Sequence, residues 1–297
     1  MKNIKILVPT DLSELSNKAL VPAEELVIIF GGTVTPVHTM LDLPNAESYS
    51  FPLSPEFAVD YEKVGKELKE KLDKVASQSV DKQYLKSAVV KKGLSTSSIL
   101  ETSADYDLIV MSSHGRSGFQ RYLLGSVAEE VIRLSEVPVL IIKEEARLTP
   151  LKKIMVSTDF SDNSLAALPW VKEIAIKADT EVDLVHVASF DPHLLFGMNT
   201  TAYKEELIQK SEEKIKEIIY DRLFEIKDKV NPKIITTPKS THESLSDLIE
   251  KSNYDLVVMS TVGRTGLEYM LLDSTTANVV RNVSGPILVV RPEKKKL

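Results

Sequence analysis

The chain repeats itself. Residues 5–20 (KILVPTDLSELSNKAL) align with residues 153–168 (KIMVSTDFSDNSLAAL) at an offset of 148, with nine of 16 positions identical. Residues 108–127 (LIVMSSHGRSGFQRYLLGSV) align with 256–275 (LVVMSTVGRTGLEYMLLDST) at the same offset, with ten of 20 identical. His38 matches His186, and VPVLIIK at 137–143 matches GPILVVR at 285–291. One offset serves the start, middle and end of the unit, so the unit is a duplicated domain. The period of 148 is far longer than the ~20–50 residues of a solenoid repeat. A chain of 297 residues has room for two domains of roughly 100–200 residues each. The polar stretch Glu144–Lys152, which holds Pro150, is the junction, giving expected domains at 1–145 and 151–297.

Strand and helix signals alternate within each copy. Lys5–Val8 is a short apolar run, and Thr10-Asp11-x-Ser13 after it reads as a helix cap. Leu15–Phe30 carries a helical apolar pattern and ends at Gly31-Gly32, a stop signal. Thr33–His38 and Leu85–Val90 read as strands, separated by a Pro- and Ser-rich loop at 42–55 and an amphipathic helix over Phe57–Ser79. The apolar face of that helix holds Tyr61, Val64, Leu68, Leu72 and Val75. Ser95–Ala104 reads as a short helix opened by a Ser/Thr cap. Leu108–Met111 is continuously apolar, the mark of a strand buried on both faces. Ser126–Leu134 is helical, and Val137–Ile142 closes the unit as a last strand. This order predicts two tandem open, mainly parallel, five-stranded α/β sandwiches.

Composition narrows the function. The chain has 37 Lys and Arg against 43 Asp and Glu, a net charge of −6, which argues against a nucleic-acid partner needing a basic face. Cysteine is absent, excluding disulfides, thiolate nucleophiles and Cys-type zinc sites. The apolar run near the start is only Ile6–Val8 before Pro9 and Asp11 interrupt it, and no window resembles a membrane span. The expectation is a soluble, cytoplasmic protein with no membrane partner.

In open α/β sheets, ligands bind beyond the carboxyl ends of the strands, where the strand order reverses. Two segments of the first copy meet that description: Pro9-Thr10-Asp11, and the loop from Ser112 through Gly115 to Gly125-Ser126. A glycine-containing turn entering a helix offers backbone N–H groups and a positive dipole end to phosphate oxygens. Glycine loops also serve simply to turn the chain. Neither G-x-G-x-x-G after the first strand nor G-x-x-x-x-G-K-[ST] is present.

With V-x-T-D-x-S near each start, L-[IV]-V-M-S before each loop and P-[VI]-L-[IV]-[IV] in each last strand, the chain resembles a tandem universal stress protein over nearly its whole length. The resemblance implies a Rossmann-like, adenine-nucleotide α-hydrolase-like fold. It also implies ATP as the ligand, with Pro9, Thr10 and Asp11 at the adenine–ribose end and Thr39 flanking the base. Met111, Ser112, His114 and Gly115 would form the near side of the loop, with Gly125, Ser126 and Val127 at the phosphates. The nucleotide-binding members carry G-x2-G-x9-G-[ST]. The first copy reads Ser112-x2-Gly115-x9-Gly125-Ser126, and the second Ser260-x2-Gly263-x9-Asp273-Ser274. Asp273 would set a carboxylate against polyphosphate, so ATP is expected in the first copy alone, with Mg²⁺ carried on the nucleotide. The resemblance further implies that Val137–Ile142 and Pro286–Val290 pair antiparallel, making the chain an intramolecular pseudo-dimer and covering two apolar edges. Homodimerisation of two chains is left open.

Each feature has a plainer reading. His38 and His186, at matching strand ends, read as structural residues with satisfied hydrogen bonds; Asp11 and Asp159 also serve as helix caps. Trp170 reads as core and the charge run at 62–74 as a solvated face. No catalytic constellation is evident: there is no H-E-x-x-H, no G-x-S-x-G and no metal-ligand set. Three functions remain: an ATP-binding regulator with hydrolysis slow or absent, a scaffold acting without nucleotide through protein or other ligand contacts, and a weak ATPase.

Overall fold

The strands of both halves lie in one ten-stranded sheet, ordered β3-β2-β1-β4-β5-β10-β9-β6-β7-β8. A computed structural model describes residues 2–41, 60–114, 124–143, 147–195, 199–261 and 274–292. The first half contains β1 (Ile4–Pro9), α1 (Glu14–Asn17), α2 (Leu20–Phe30), β2 (Gly32–Met40), α3 (Tyr61–Ala76), β3 (Val89–Lys92), α4 (Ser95–Ser103), β4 (Leu108–Ser112), α5 (Ser126–Leu134) and β5 (Val139–Ile142). The second repeats the order with β6 (Lys153–Ser157), α6 (Asp162–Leu165), α7 (Leu168–Lys177), β7 (Glu181–Ser189), α8 (Thr200–Arg222), β8 (Val230–Thr237), α9 (Thr241–Ser252), β9 (Leu256–Ser260), α10 (Ser274–Asn282) and β10 (Ile287–Val290). Every pairing within a half is parallel. At the centre, β5 and β10 run antiparallel, with Ile141 opposite Ile287 and Val139 opposite Val289.

Two hydrophobic layers sandwich the sheet, each drawing residues from both halves. Strands such as LIVMS at 108–112 are apolar throughout because helices cover both of their faces. Among the described residues no helix is long and apolar enough to cross a membrane. Trp170 is half-buried and packs against the core.

Several elements differ from the sequence expectation for local reasons. Leu15–Phe30 is two helices, α1 and α2, because Pro22 lacks an N–H and its ring would strike the carbonyl four residues back. Asp11 is not the helix cap; Ser13 is, accepting from Ser16 N, and Ser161 does the same for Ser164 N. The long helix is Tyr61–Ala76, capped by Asp60 on Lys63 N, with residues 57–59 outside the described residues. It buries Leu72 and Ala76. Leu85 makes the expected parallel pairing with Val34 only as an isolated bridge; the regular third strand starts at Val89, since the Ala88 N–H donates to Asp73 Oδ1 of α3 (2.7 Å). The cap of α4 is Leu94, which makes no side-chain bond; Ser97 and Thr96 spend their hydroxyls on Leu94 O and Glu130. The second strand begins one residue early, at Gly32. A Cβ there would lie 1.9 Å from Ile4 O, so no other residue fits. The last strands start at Val139 and Ile287, just after prolines that have no N–H to donate.

Candidate functional site

The strand order of the first half reverses between β1 and β4. A cleft of about 280 Å³ opens there, at the carboxyl ends of β1, β2 and β4. Its walls include Pro9, Thr10, Asp11, Thr39, Met111, Ser112, His114, Gly125, Ser126 and Val127. Those are all of the residues the sequence nominated except Gly115, which lies outside the described residues, as do Arg116 and the loop to 123. Ser16, His38, Ser95 and Ile99 also line the cleft. Ser16 and Ser95 carried no sequence signal of their own: a serine in a short helix is common, and only the packing turns these two inward.

Hydrogen bonds hold the turn after β1. Thr10 N donates to Val37 O (2.9 Å), and His38 Nδ1 meets Thr10 O (2.8 Å). Asp11 Oδ1 accepts from Ser13 N (3.0 Å) and from Ser16 Oγ (2.7 Å), so this carboxylate both braces the turn and faces the cleft. The same geometry recurs in the second half, where His186 Nδ1 meets Thr158 O (2.8 Å) and Asp159 Oδ1 accepts from Ser161 N (2.9 Å). Both histidines thus have the structural bond expected of them, and His38 additionally presents its ring to the cleft.

The opposite wall carries the N-terminus of α5 and the loop residues after β4. Gly125 caps α5 with no side-chain bond, leaving first-turn N–H groups of α5 without a side-chain acceptor at the cleft. Gly125 has an ordinary backbone (φ −64°, ψ 147°), so the cost of a side chain here is one of space: a Cβ would stand 3.1 Å from Ser113 O, which would have to shift by a few tenths of an ångström. His114 Nδ1 meets Ser113 Oγ (2.9 Å), whereas its Nε2 is buried without a hydrogen-bond partner. Burial, and secondarily the charge of Lys143, holds the imidazole below its usual pKa, so it is neutral at pH 7. Ser112 Oγ is turned into its own loop, toward His114 N (3.4 Å).

The second half departs from this plan. Phe160, the repeat mate of Leu12, lays its ring on His186. Thr261 Oγ1 is buried with no partner, and Thr276 Oγ1 donates to Ser260 O (2.7 Å). Val262, Gly263 and Asp273 lie outside the described residues.

Two buried carboxylates went unnoticed in the sequence. Glu25 of α2 accepts from Leu148 N (2.8 Å) and Thr149 Oγ1 (2.7 Å), fastening the first half to the segment that leads into the second. Asp183 of β7 accepts from Tyr254 OH (2.6 Å) and pairs with Lys233 (2.9 Å) and Lys153 (3.3 Å). Neither has a motif, because their partners lie far away along the chain.

Comparison with known proteins follows the repeat. The profile of the universal stress protein family matches residues 3–143 and again 150–291. Universal stress protein MJ0531 of Methanocaldococcus jannaschii is 31% identical over 146 residues, 49% of this chain and 85% of that protein. Universal stress protein Rv2005c of Mycobacterium tuberculosis is 25% identical over 263 residues, 85% of this chain and 86% of that one. The fold is shared with a universal stress protein from Archaeoglobus fulgidus, with a TM-score of 0.63 at 23% identity over 97% of this chain and 98% of that one. A profile that matches twice, in register with the internal duplication and with the two halves of the sheet, places the chain in the universal stress protein family as a tandem of two such domains.

Proposed function

We propose that the chain is a stress-response regulator that binds one ATP, with Mg²⁺, in the cleft of its first half. The observation that carries this reading is that one cleft is lined by an unfilled helix N-terminus at Gly125-Ser126 and by His114, whose Nε2 is buried without a partner. The first suits phosphate oxygens and the second a polar ligand atom. Asp11 and Thr39, on the far wall, suit a ribose and a base. Among the described residues no three His, Asp or Glu side chains gather to hold a metal, so Mg²⁺ would arrive on the polyphosphate. No arginine lines the described part of the cleft, and hydrolysis is slow or absent in this reading. The second half is degenerate and structural, and the two halves work as a pseudo-dimer joined through β5 and β10 in domains spanning 1–145 and 151–297. A cytoplasmic location suits an ATP ligand and a chain without cysteine.

The test is titration of the intact chain with MgATP by calorimetry, alongside nucleotide analysis of a denaturing extract. One site per chain is expected. No binding at millimolar MgATP overturns the reading and leaves the scaffold function, which Ser112 in place of the family's first loop glycine favours.

A further inference from the structure

Lys143 follows β5 and is buried at the seam between the halves. Its Nζ donates to the carbonyls of Val283 and Arg281, at the C-terminal end of α10 in the second half. Its repeat mate, Arg291, does the reverse, with Nη1 donating to Ser135 O (3.2 Å) at the C-terminal end of α5. Ser135 and Val283 are themselves repeat mates. Each half therefore lends a cation to the C-terminus of the other half's loop helix, where unpaired carbonyls and the helix dipole favour positive charge.

The two limbs differ chemically. Arg291 is a planar guanidinium with five N–H donors, whereas Lys143 is a single ammonium. Lys143 is pushed down to about 8, first by burial, with the carboxylate of Glu250 opposing. Lys143 also lies next to the cleft. Ser113 N donates to Ile142 O (2.9 Å), tying the cleft loop to the residue before Lys143, and the Lys143 charge is felt at His114.

We propose that Lys143 is a positioning residue coupling the first-half cleft to the second half: an anion bound beside His114 stabilises the Lys143 ammonium and tightens its hold on the end of α10. This rests on the cleft being a nucleotide site. Binding linkage is reciprocal, so the contact with α10 raises the affinity of the cleft by the same factor. The titratable groups in electrostatic reach of Lys143 are Glu250 of α9 and His114 beyond β4; Arg281 of α10 offers Lys143 its carbonyl and pairs through its side chain with Glu129 of α5. Of these, the anion adds negative charge on the His114 side. Near pH 8 Lys143 is about half protonated, so an arriving anion draws a further fraction of a proton onto it.

The experiment is calorimetry of MgATP binding to the intact chain at pH 8 in two buffers of different ionisation heat, with hydrogen exchange followed in α10. Expected are net proton uptake and slower exchange over 274–283. Lys143→Met should bind ATP about fivefold more weakly and lose the uptake. Lys143→Arg should recover the affinity without the uptake, which a purely packing role would not produce. ATP binding by the native chain without proton uptake, or with α10 exchange unchanged, overturns the coupling and leaves the nucleotide site standing. No ATP binding at all overturns both. Should Lys143→Met fail to fold, the native chain and Lys143→Arg still decide.

Discussion

The ring of Phe160 lies 4.0 Å, centroid to centroid, from the ring of His186, the repeat mate of the histidine that lines the first-half cleft. Leu12 and Phe160 share the same left-handed backbone, φ 66° and 67°, so the exchange of leucine for phenylalanine leaves the turn unchanged. It changes what covers the histidine. Phe160 is covered in turn by the ammonium of Lys214, 5.3 Å from the ring centre. Phe160→Leu combined with Asp273→Gly should raise the ATP stoichiometry from about one toward two per chain. A count that stays near one would mean that other residues close the second half.

Gly125→Asp should weaken MgATP binding at least tenfold, about 1.4 kcal/mol. Its Cβ must displace the Ser113 backbone, 3.1 Å away, and its carboxylate repels phosphate. Stability should drop by only about 1 kcal/mol, because φ at this position suits any residue. Calorimetry and a urea melt on the same preparation separate the two effects, and unchanged affinity would exclude Gly125 from the site.

Glu25 is the fastening between the halves that unfolding should reveal. Glu25→Ala leaves the buried Leu148 N–H without its acceptor, which should cost about 1–3 kcal/mol. Glu25→Gln keeps one amide oxygen as acceptor and should lose less. The urea midpoint of each variant checks the order, and an alanine variant as stable as the native chain contradicts it.

Asp183 predicts the acid limb of stability. Burial alone would raise its pKa, but hydrogen bonds from Lys233 and Tyr254 and the charges of Lys233 and Lys153 outweigh it and hold the carboxyl below its usual value. A depressed carboxylate stabilises the fold above its unfolded pKa of about 3.9, and that contribution is lost as pH falls through the lower, folded value. Stability should therefore decline below about pH 4. Asp183→Asn should flatten that part of the decline while costing about 1–3 kcal/mol at pH 7, since Lys153 and Lys233 then face each other without a counter-charge. Thermal melts from pH 3 to 7 give the comparison.

The Asp183 cluster with Lys153, Lys233 and Tyr254 and the Glu25 fastening were invisible in the sequence, whereas the cleft was largely legible. Pro9, Asp11 and Ser112 could be nominated because each lies at or within two residues of a strand's carboxyl end beside a reversal of strand order; Gly125 and Ser126 came from a glycine turn entering a helix, and Met111 from the family resemblance. The α5 boundaries at Ser126 and Leu134 were equally local. Helix breaks were less so: Pro22 splits a pattern whose apolar spacing by itself reads as one helix.

The repeat, the alternation of strand and helix and the loop residues thus followed from the sequence alone, because apolar runs, turn residues and repeat spacing act over short stretches of chain. Only the tertiary structure decided which cations, carboxylates and rings meet. Lys143 reaches Val283 and Arg291 reaches Ser135 because β5 and β10 lie side by side, bringing together residues 140 and 156 positions apart. Phe160 covers His186 because parallel pairing aligns β6 with β7. Such partners depend on sheet order and register, and no local pattern in the chain encodes them.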